Sequence, residues 1–436
     1  MHDPQVLKRA SEAFWQELGR RGYANQSNEL QRLAEHLNRL QQDEQQLRQQ
    51  RRQIAKQGGR EDSARRQGAE VAERLKELSG QLKAAEADWY RFVQQLPNVP
   101  DADVPDGGGA DRVLRTYDHE GREQPADWRP EPVSNPQTHD ELAQRNGWYD
   151  AEQAAKMSGA RFAILAGPLA RLHRALGQFF LDTQVSRGYR EYWLPWLLQP
   201  HALEGIGQLP KFAEDLFKAG EGHYLLSTGE APLMNLFAGR ILDERDLPIL
   251  STTLSPCFRS EAGSYGRDTK GLIRQHQFEK VELVRLVQAD QSEAALLEMV
   301  EDARAPLLAL GLPHRVALLA ADDMAFAAAR TLDIEVWMTG QQQWREIASC
   351  SNCRAFQTRR LKIRYRPKVQ GKSAAKPELL HSLNASGLPL GRTLAALLEY
   401  AVDSNHQVQV PECLSAYMGG AHVLDFSSGG PDQGLR

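Results

Sequence analysis

The chain has 436 residues, with 53 Lys and Arg against 57 Asp and Glu and a net charge of −4 at neutral pH. That length suggests roughly two or three domains, and the near balance of charge excludes a global basic field for nucleic acid, so any such contact must be local. The polar start reads as no signal peptide, no apolar run approaches the ~20 residues of a membrane helix, and four cysteines point to a reducing, cytoplasmic compartment.

The first predicted element is a long helical hairpin. Leu30, Leu33, Leu37, Leu40, Leu47 and Ile54 form one apolar seam, and Val71, Leu75, Leu78, Leu82, Ala85, Trp89 and Phe92 form a second. Both have the 3.5-residue period of a coiled coil. Gly58-Gly59 breaks the chain between them, with Glu61 and Asp62 opening the second helix, where its dipole favours acids. Arg48, Arg51, Arg52, Lys56, Arg60, Arg65 and Arg66 gather near the tip. They suit phosphate contacts, although a dimerising coiled coil with a solvated face has the same pattern.

From Pro97 to about Pro136 the composition shifts. Pro100, Pro105, Gly107-Gly108-Gly109, Pro125, Pro130 and Pro132 predict an irregular linker. A compact domain is expected from about His139. The periodicity predicts a helix from Arg161 to Arg187 and a strand from Tyr189 to Trp196. Paired strands follow at Thr252–Glu261 and Arg274–Val284, then a last strand at Leu383–Leu388 and a helix at about Thr393–Val402. Strands arriving as hairpins favour an antiparallel sheet and an α+β fold.

The paired strands carry the chemistry. Arg259 can offer a planar fork to a phosphate, while Glu261, Glu279 and Glu282 suit an ammonium group, a hydroxyl or a metal. Period-two alternation puts Phe278 and Glu282 on one face. Gly266 to Gly271 lacks P-loop spacing, so a nucleotide would be held by side chains on the sheet. Cys350 and Cys353 form a CxxC without a second ligand pair at matching spacing, and read as two reduced thiols.

With these motifs the chain resembles bacterial-type seryl-tRNA synthetases, of the class II aminoacyl-tRNA synthetases. The resemblance covers nearly the whole length. It includes the arm, the exit Leu96-Pro97-Asn98-Val99-Pro100, Gly188–Pro195 as motif 1, Phe258-Arg259-Ser260-Glu261 through Glu282 as motif 2, and Gly387–Arg392 as motif 3. It implies a tRNA-binding domain over residues 1–100, a linker over 101–138 and a class II catalytic domain over 139–436. The last would be an antiparallel sheet flanked by helices. It further implies a serine–tRNA ligase, homodimeric through motif 1, that uses ATP with Mg²⁺ and serves tRNA-Ser and tRNA-Sec.

By the same resemblance, Thr228, Glu230, Glu282 and Ser386 bind serine, with Glu230 for the ammonium and Glu282 for the hydroxyl. Arg259 contacts the α-phosphate, Glu261 the adenine side, and Phe278 and Arg392 clamp the base. Glu346 and Ser349 hold magnesium on ATP. His173, His276 and His381 are expected to be structural. Departures from the family pattern stand at Gly229 (usually Ala), Ala348 (usually Ser) and Ala385 (usually Gly), and the tail from Ala421 to Arg436 runs past the usual ending. They leave open a specialised paralogue conferring inhibitor resistance or feeding a biosynthetic pathway, a non-catalytic tRNA-binding homologue, or a ligase serving a carrier protein.

Overall fold

The computed structural model describes residues 1–7, 10–56, 62–108, 110–131, 136–145, 147–262, 270–368, 375–403, 405 and 407–425. Gly58, Gly59, Arg60, Glu61, residues 263–269 of the motif 2 loop and the tail after Asp425 lie outside them. The chain divides into two compact units, Met1–Val99 and Pro100–Arg436.

In the first unit, helix α1 (Ser27–Lys56) pairs with helix α2 (Asp62–Val93). The seam is buried where it was expected, through Leu30, Leu33, Leu37 and Leu40 on one helix and Val71, Leu78, Ala85 and Trp89 on the other. Burial of these apolar side chains holds the pair, since the remaining faces are polar and gain little from being helical alone.

The second unit is built on a sheet of nine described strands. In chain order they are β1 (Arg112–Tyr117), β2 (Glu123–Gln124), β3 (Arg190–Glu191), β4 (Ile249–Phe258), β5 (Gln277–Val287), β6 (His314–Leu318), β7 (Arg330–Met338), β8 (Gln343–Arg354) and β9 (His381–Pro389). Their spatial order is β2-β1-β6-β7-β8-β9-β5-β4-β3. Neighbours pair antiparallel except β3 with β4. The flanking helices include α3 (Gly167–Ser186), α4 (Pro200–Ile206), α5 (Glu230–Asn235), α6 (Ser292–Ala309), α7 (Phe356–Leu361) and α8 (Leu390–Ala401). Helices α3, α6 and α8 cover one sheet face, over a core that includes Val281, Leu283, Ala348, Cys350 and Ala385. Helices α4, α5 and α7 sit on the other face, over Val284 and Leu286.

Several expectations need correction. The linker is not irregular throughout: Arg112–Tyr117 pairs with β6 and extends the sheet, its short run having been obscured by the surrounding Pro and Gly. The helix expected from Arg161 starts at Gly167, because Pro168 favours a first-turn position. Ahead of it, Ile164–Leu165 pairs with Tyr149–Asp150. Of the strand expected over Tyr189–Trp196, only Arg190–Glu191 joins the main sheet; Pro195, without an N–H, cannot continue a ladder. Leu383–Leu388 falls inside the longer β9 and is not the last strand, since Gln407–Gln409 pairs with Val423–Asp425 beyond it.

Candidate active site

The face of the sheet opposite the α3–α6–α8 core carries two adjoining cavities. One, about 490 Å³, is lined by Ser227, Glu230, Gln357 and Asn384 and by the apolar Ile206 and Phe326. The other, about 190 Å³, is lined by Phe278, Glu346, Gly391 and Arg392. Arg259, Glu261 and Arg274 line both.

Strand register decides which side chains meet beside the first cavity, whose lining itself includes Glu230 and Asn384. Glu282 lies across from Thr253 on β4 and from Ser386 on β9. Cross-strand partners share a face, so Lys280, Glu282, Asn384 and Ser386 all point to the cavity side. Thr228, just before α5, donates from Oγ1 to Glu282 Oε2 at 2.7 Å. Lys280 is ion-paired with Glu282 Oε2. Its Nζ also donates to Thr228 Oγ1 at 3.2 Å and to Ser386 Oγ at 3.4 Å. Sequence reasoning passed over Lys280; its position two residues from both Phe278 and Glu282 was the available signal. Three of the four residues expected to bind serine are thus in one hydrogen-bonded group.

The fourth, Glu230, opens α5. Its Oε1 accepts from Gln357 Nε2 at 2.6 Å and from Asn384 Nδ2 at 2.8 Å. Burial, and then the negative charge of Glu282, raise its pKa to about 7. Gln357 and Asn384 were also missed; Asn384 could have been found by its period-two relation to Ser386.

In the second cavity, Arg259 is held from several directions. Its Nε donates to Ser227 O at 3.2 Å, its backbone N–H donates to His276 O at 3.0 Å, and its guanidinium carbon lies 5.2 Å from the Phe278 ring centroid. The His276 ring, whose Nδ1 is 2.8 Å from Arg259 O, anchors that backbone. Glu261 has φ 52°, a left-handed value uncommon for a residue with a side chain. Its carboxylate accepts from Arg274 Nη1 at 2.8 Å. Arg392 starts α8, donates from Nη2 to Ile273 O at 3.2 Å, and lies 3.6 Å from Glu346 Oε2.

Ser349 is paired across the ladder with Asp333, which was not anticipated. The Asp333 carboxyl is buried and, among the described residues, its Oδ1 has no hydrogen-bond partner. Burial and the nearby charge of Glu346 push its pKa up. Glu346, Ser349 and Asp333 supply only oxygen donors, which is what a hard divalent ion accepts. Among the described residues, no three His, Cys, Asp or Glu side chains converge as a metal cage. Such an ion would rest largely on phosphate and water.

The departures from the family pattern separate by sheet face. Ala348 and Ala385 are fully buried in the helix-covered core, away from the cavities. Gly229 is packed between Thr253 and Glu282. The CxxC thiols also diverge: Cys350 is in the helix-covered core and Cys353 lines the larger cavity, where its sulfur accepts from Asn384 Nδ2 at 3.4 Å. Both are free. His173 and His381 are each lowered to about 4 by burial, which leaves them neutral near pH 7.

On the arm, Arg48, Arg51, Arg52, Lys56, Arg65 and Arg66 are exposed, and Arg48 is paired with Glu44 at 2.8 Å. Arg60 lies outside the described residues.

Comparisons with known proteins agree on one family. Residues 1–100 match the family model "Seryl-tRNA synthetase N-terminal domain", and residues 216–401 match "tRNA synthetase class II core domain (G, H, P, S and T)". The chain is 44% identical to a serine–tRNA ligase of Cellvibrio japonicus, over 97% of this chain and 99% of that protein. It is 43% identical to one of Methylococcus capsulatus, over 97% and 99%. Among solved structures, it is similar to seryl-tRNA synthetase from Pyrococcus horikoshii complexed with ATP, with TM-score 0.86, 29% identity and coverage of 98% and 99%.

Proposed function

This chain belongs to the seryl-tRNA synthetase family, and from that premise we infer that it is a serine–tRNA ligase, activating L-serine with ATP and passing the seryl group to tRNA-Ser. The family's range also includes tRNA-Sec. The observation that carries the reading is Arg259, which lines both the recess that holds Glu230 and Asn384 and a recess bordered by Phe278 and Arg392.

The chemistry follows from that position. In the first step the serine carboxylate attacks the α-phosphorus of ATP and pyrophosphate leaves. In the second, a terminal ribose hydroxyl of the tRNA attacks the seryl carbonyl and AMP leaves. The first nucleophile is already an anion at neutral pH, so no general base is needed. The barrier is the approach of two anions. A guanidinium held by Ser227 O, on a backbone tied to His276 O, lowers it without reorganising during the step. Phe278 and Arg392 border a base-sized slot, and Glu261, steadied by Arg274, sits at its edge. Thr228, Glu230, Glu282 and Ser386 take the amino acid.

Magnesium would be held by Glu346 and Ser349, with the orphaned Asp333 Oδ1 beside them. When bound, it neutralises phosphate charge. On the arm, the exposed basic side chains suit a tRNA backbone.

Motif 1 leaves Trp193 83% and Leu197 56% exposed, with Trp196 and Val185 nearby in sequence and also exposed. A surface of that kind fits a homodimer contact. Four cysteines outside any disulfide suit a cytoplasmic site, and no described helix is long and apolar enough to cross a membrane. The test is serine-dependent exchange of pyrophosphate into ATP, followed by acylation of tRNA-Ser with and without residues 1–100. Lack of exchange in the full chain overturns the reading.

A further inference from the structure

The side chain that organises the amino-acid recess is none of the four assigned to bind serine. Lys280 is 6% exposed, on a strand whose ladder to β4 runs without a break from Gln277 to Leu286. An ammonium group has three N–H bonds and no acceptor. Here they meet three oxygens: Glu282 Oε2, Thr228 Oγ1 and Ser386 Oγ.

The remaining protons then have few places to go. The Thr228 hydroxyl proton is committed to Glu282 Oε2. Ser386 Oγ accepts from Lys280, so its own proton is turned away from the ammonium and toward the recess. Glu282 keeps Oε1 as an acceptor. Beside the recess, whose own lining includes Glu230, Asn384 and Arg259, this cluster therefore offers one donor, from Ser386, and one acceptor, from Glu282. A hydroxyl both accepts and donates, and matches that pair. A methyl group leaves both unpaired in a buried site, which is costly.

We propose that Lys280 is a specificity-determining positioning residue: by occupying Glu282, Thr228 and Ser386 at once, it sets the hydroxyl-reading polarity of the recess. It does not touch the reacting phosphorus. The proposal rests on the serine–tRNA ligase reading, and goes beyond it by locating discrimination against alanine in a lysine that would not itself contact the substrate hydroxyl.

The test uses the full chain with Lys280→Met and Lys280→Gln, the second keeping a donor without charge. Pyrophosphate exchange is measured with serine and with alanine, alongside KM for ATP and a thermal melt. Serine-dependent exchange by the unaltered protein is the control; if it is absent, the function reading fails and not this one. The expected result for Lys280→Met is a serine KM raised about 100-fold, an ATP KM within about threefold, and a serine-to-alanine preference reduced at least about tenfold. Lys280→Gln should lie between, and decides the matter if the Met variant does not fold. A preference for serine over alanine that stays unchanged in a folded variant overturns the proposal. So does a loss that raises both KM values equally, since that is what general damage to the sheet produces.

Discussion

Gly229 and Thr253 are fitted to each other: a Cβ placed on Gly229 would lie 2.7 Å from Thr253 Cγ2 and 2.9 Å from Glu282 Cβ. Gly229 has φ −61°, so its backbone accepts any residue, and what excludes alanine is the neighbour. The family pattern has alanine at this position. Here the Thr253 methyl takes up the space in front of Glu282.

Gly229→Ala is therefore expected to destabilise the protein by about 1–3 kcal/mol through overpacking and to raise the KM for serine by displacing Glu282. Adding Thr253→Ser removes the obstructing Cγ2 but not the contact with Glu282 Cβ, and should recover part of the stability loss. Thermal melts and exchange kinetics on the two single variants and the double variant form the cycle. Additive losses would show that the two positions are not coupled.

Arg259→Ala should lower adenylate formation by at least about 10²–10³-fold while leaving oligomeric state and melting temperature near those of the parent. Among the described residues, the side chain is tied to the fold by a bond to Ser227 O and no ion pair. Exchange at the parental rate would remove the phosphate role assigned to it. Sedimentation checks the assembly.

Glu230 sets a pH limit on serine binding. Its pKa, raised to about 7 by burial and by Glu282, means that the neutral acid accumulates as the pH falls through that value. An ammonium partner prefers the carboxylate, so affinity is present above the pKa and lost below it. The KM for serine should rise toward about tenfold per pH unit below 7, with proton release on binding and little change in the KM for ATP. Glu230→Gln should bind serine weakly, with a flat profile. A KM that does not move between pH 6 and 8 in the unaltered protein would count against Glu230 as the ammonium partner.

Removing residues 48–66 of the arm should weaken tRNA acylation at least about tenfold and make its salt dependence shallower, because phosphate contacts release counterions. Serine-dependent exchange should be unaffected, since the cavities are lined wholly from the second unit. An equal fall in both activities would assign the segment to stability instead.

Much of this protein is readable from local pattern. The seams of α1 and α2, the strands β4 and β5, and the short path from β9 to Arg392 each rest on spacing within a few turns or one hairpin, where period alone selects the buried face. The same alternation places Phe278 and Glu282 together. The residues with family roles were recognisable because whole motifs stand in order. The strand at Arg112–Tyr117 was not readable, because its stability comes from pairing with His314–Leu318 about 200 residues later, and nothing local distinguishes it from the linker around it.

The chemistry of the amino-acid recess depends on the same kind of distant pairing. Asp333 meets Ser349, Lys280 meets Ser386, and Asn384 of β9 is aimed at Glu230 only because β7, β8, β9 and β5 adopt one register. A slip of one residue would turn every such side chain to the opposite face. The amino-acid order determined which groups are available and which face of each strand they share. Only the assembled sheet decided which groups touch, because contact between distant strands depends on a register that no single segment encodes.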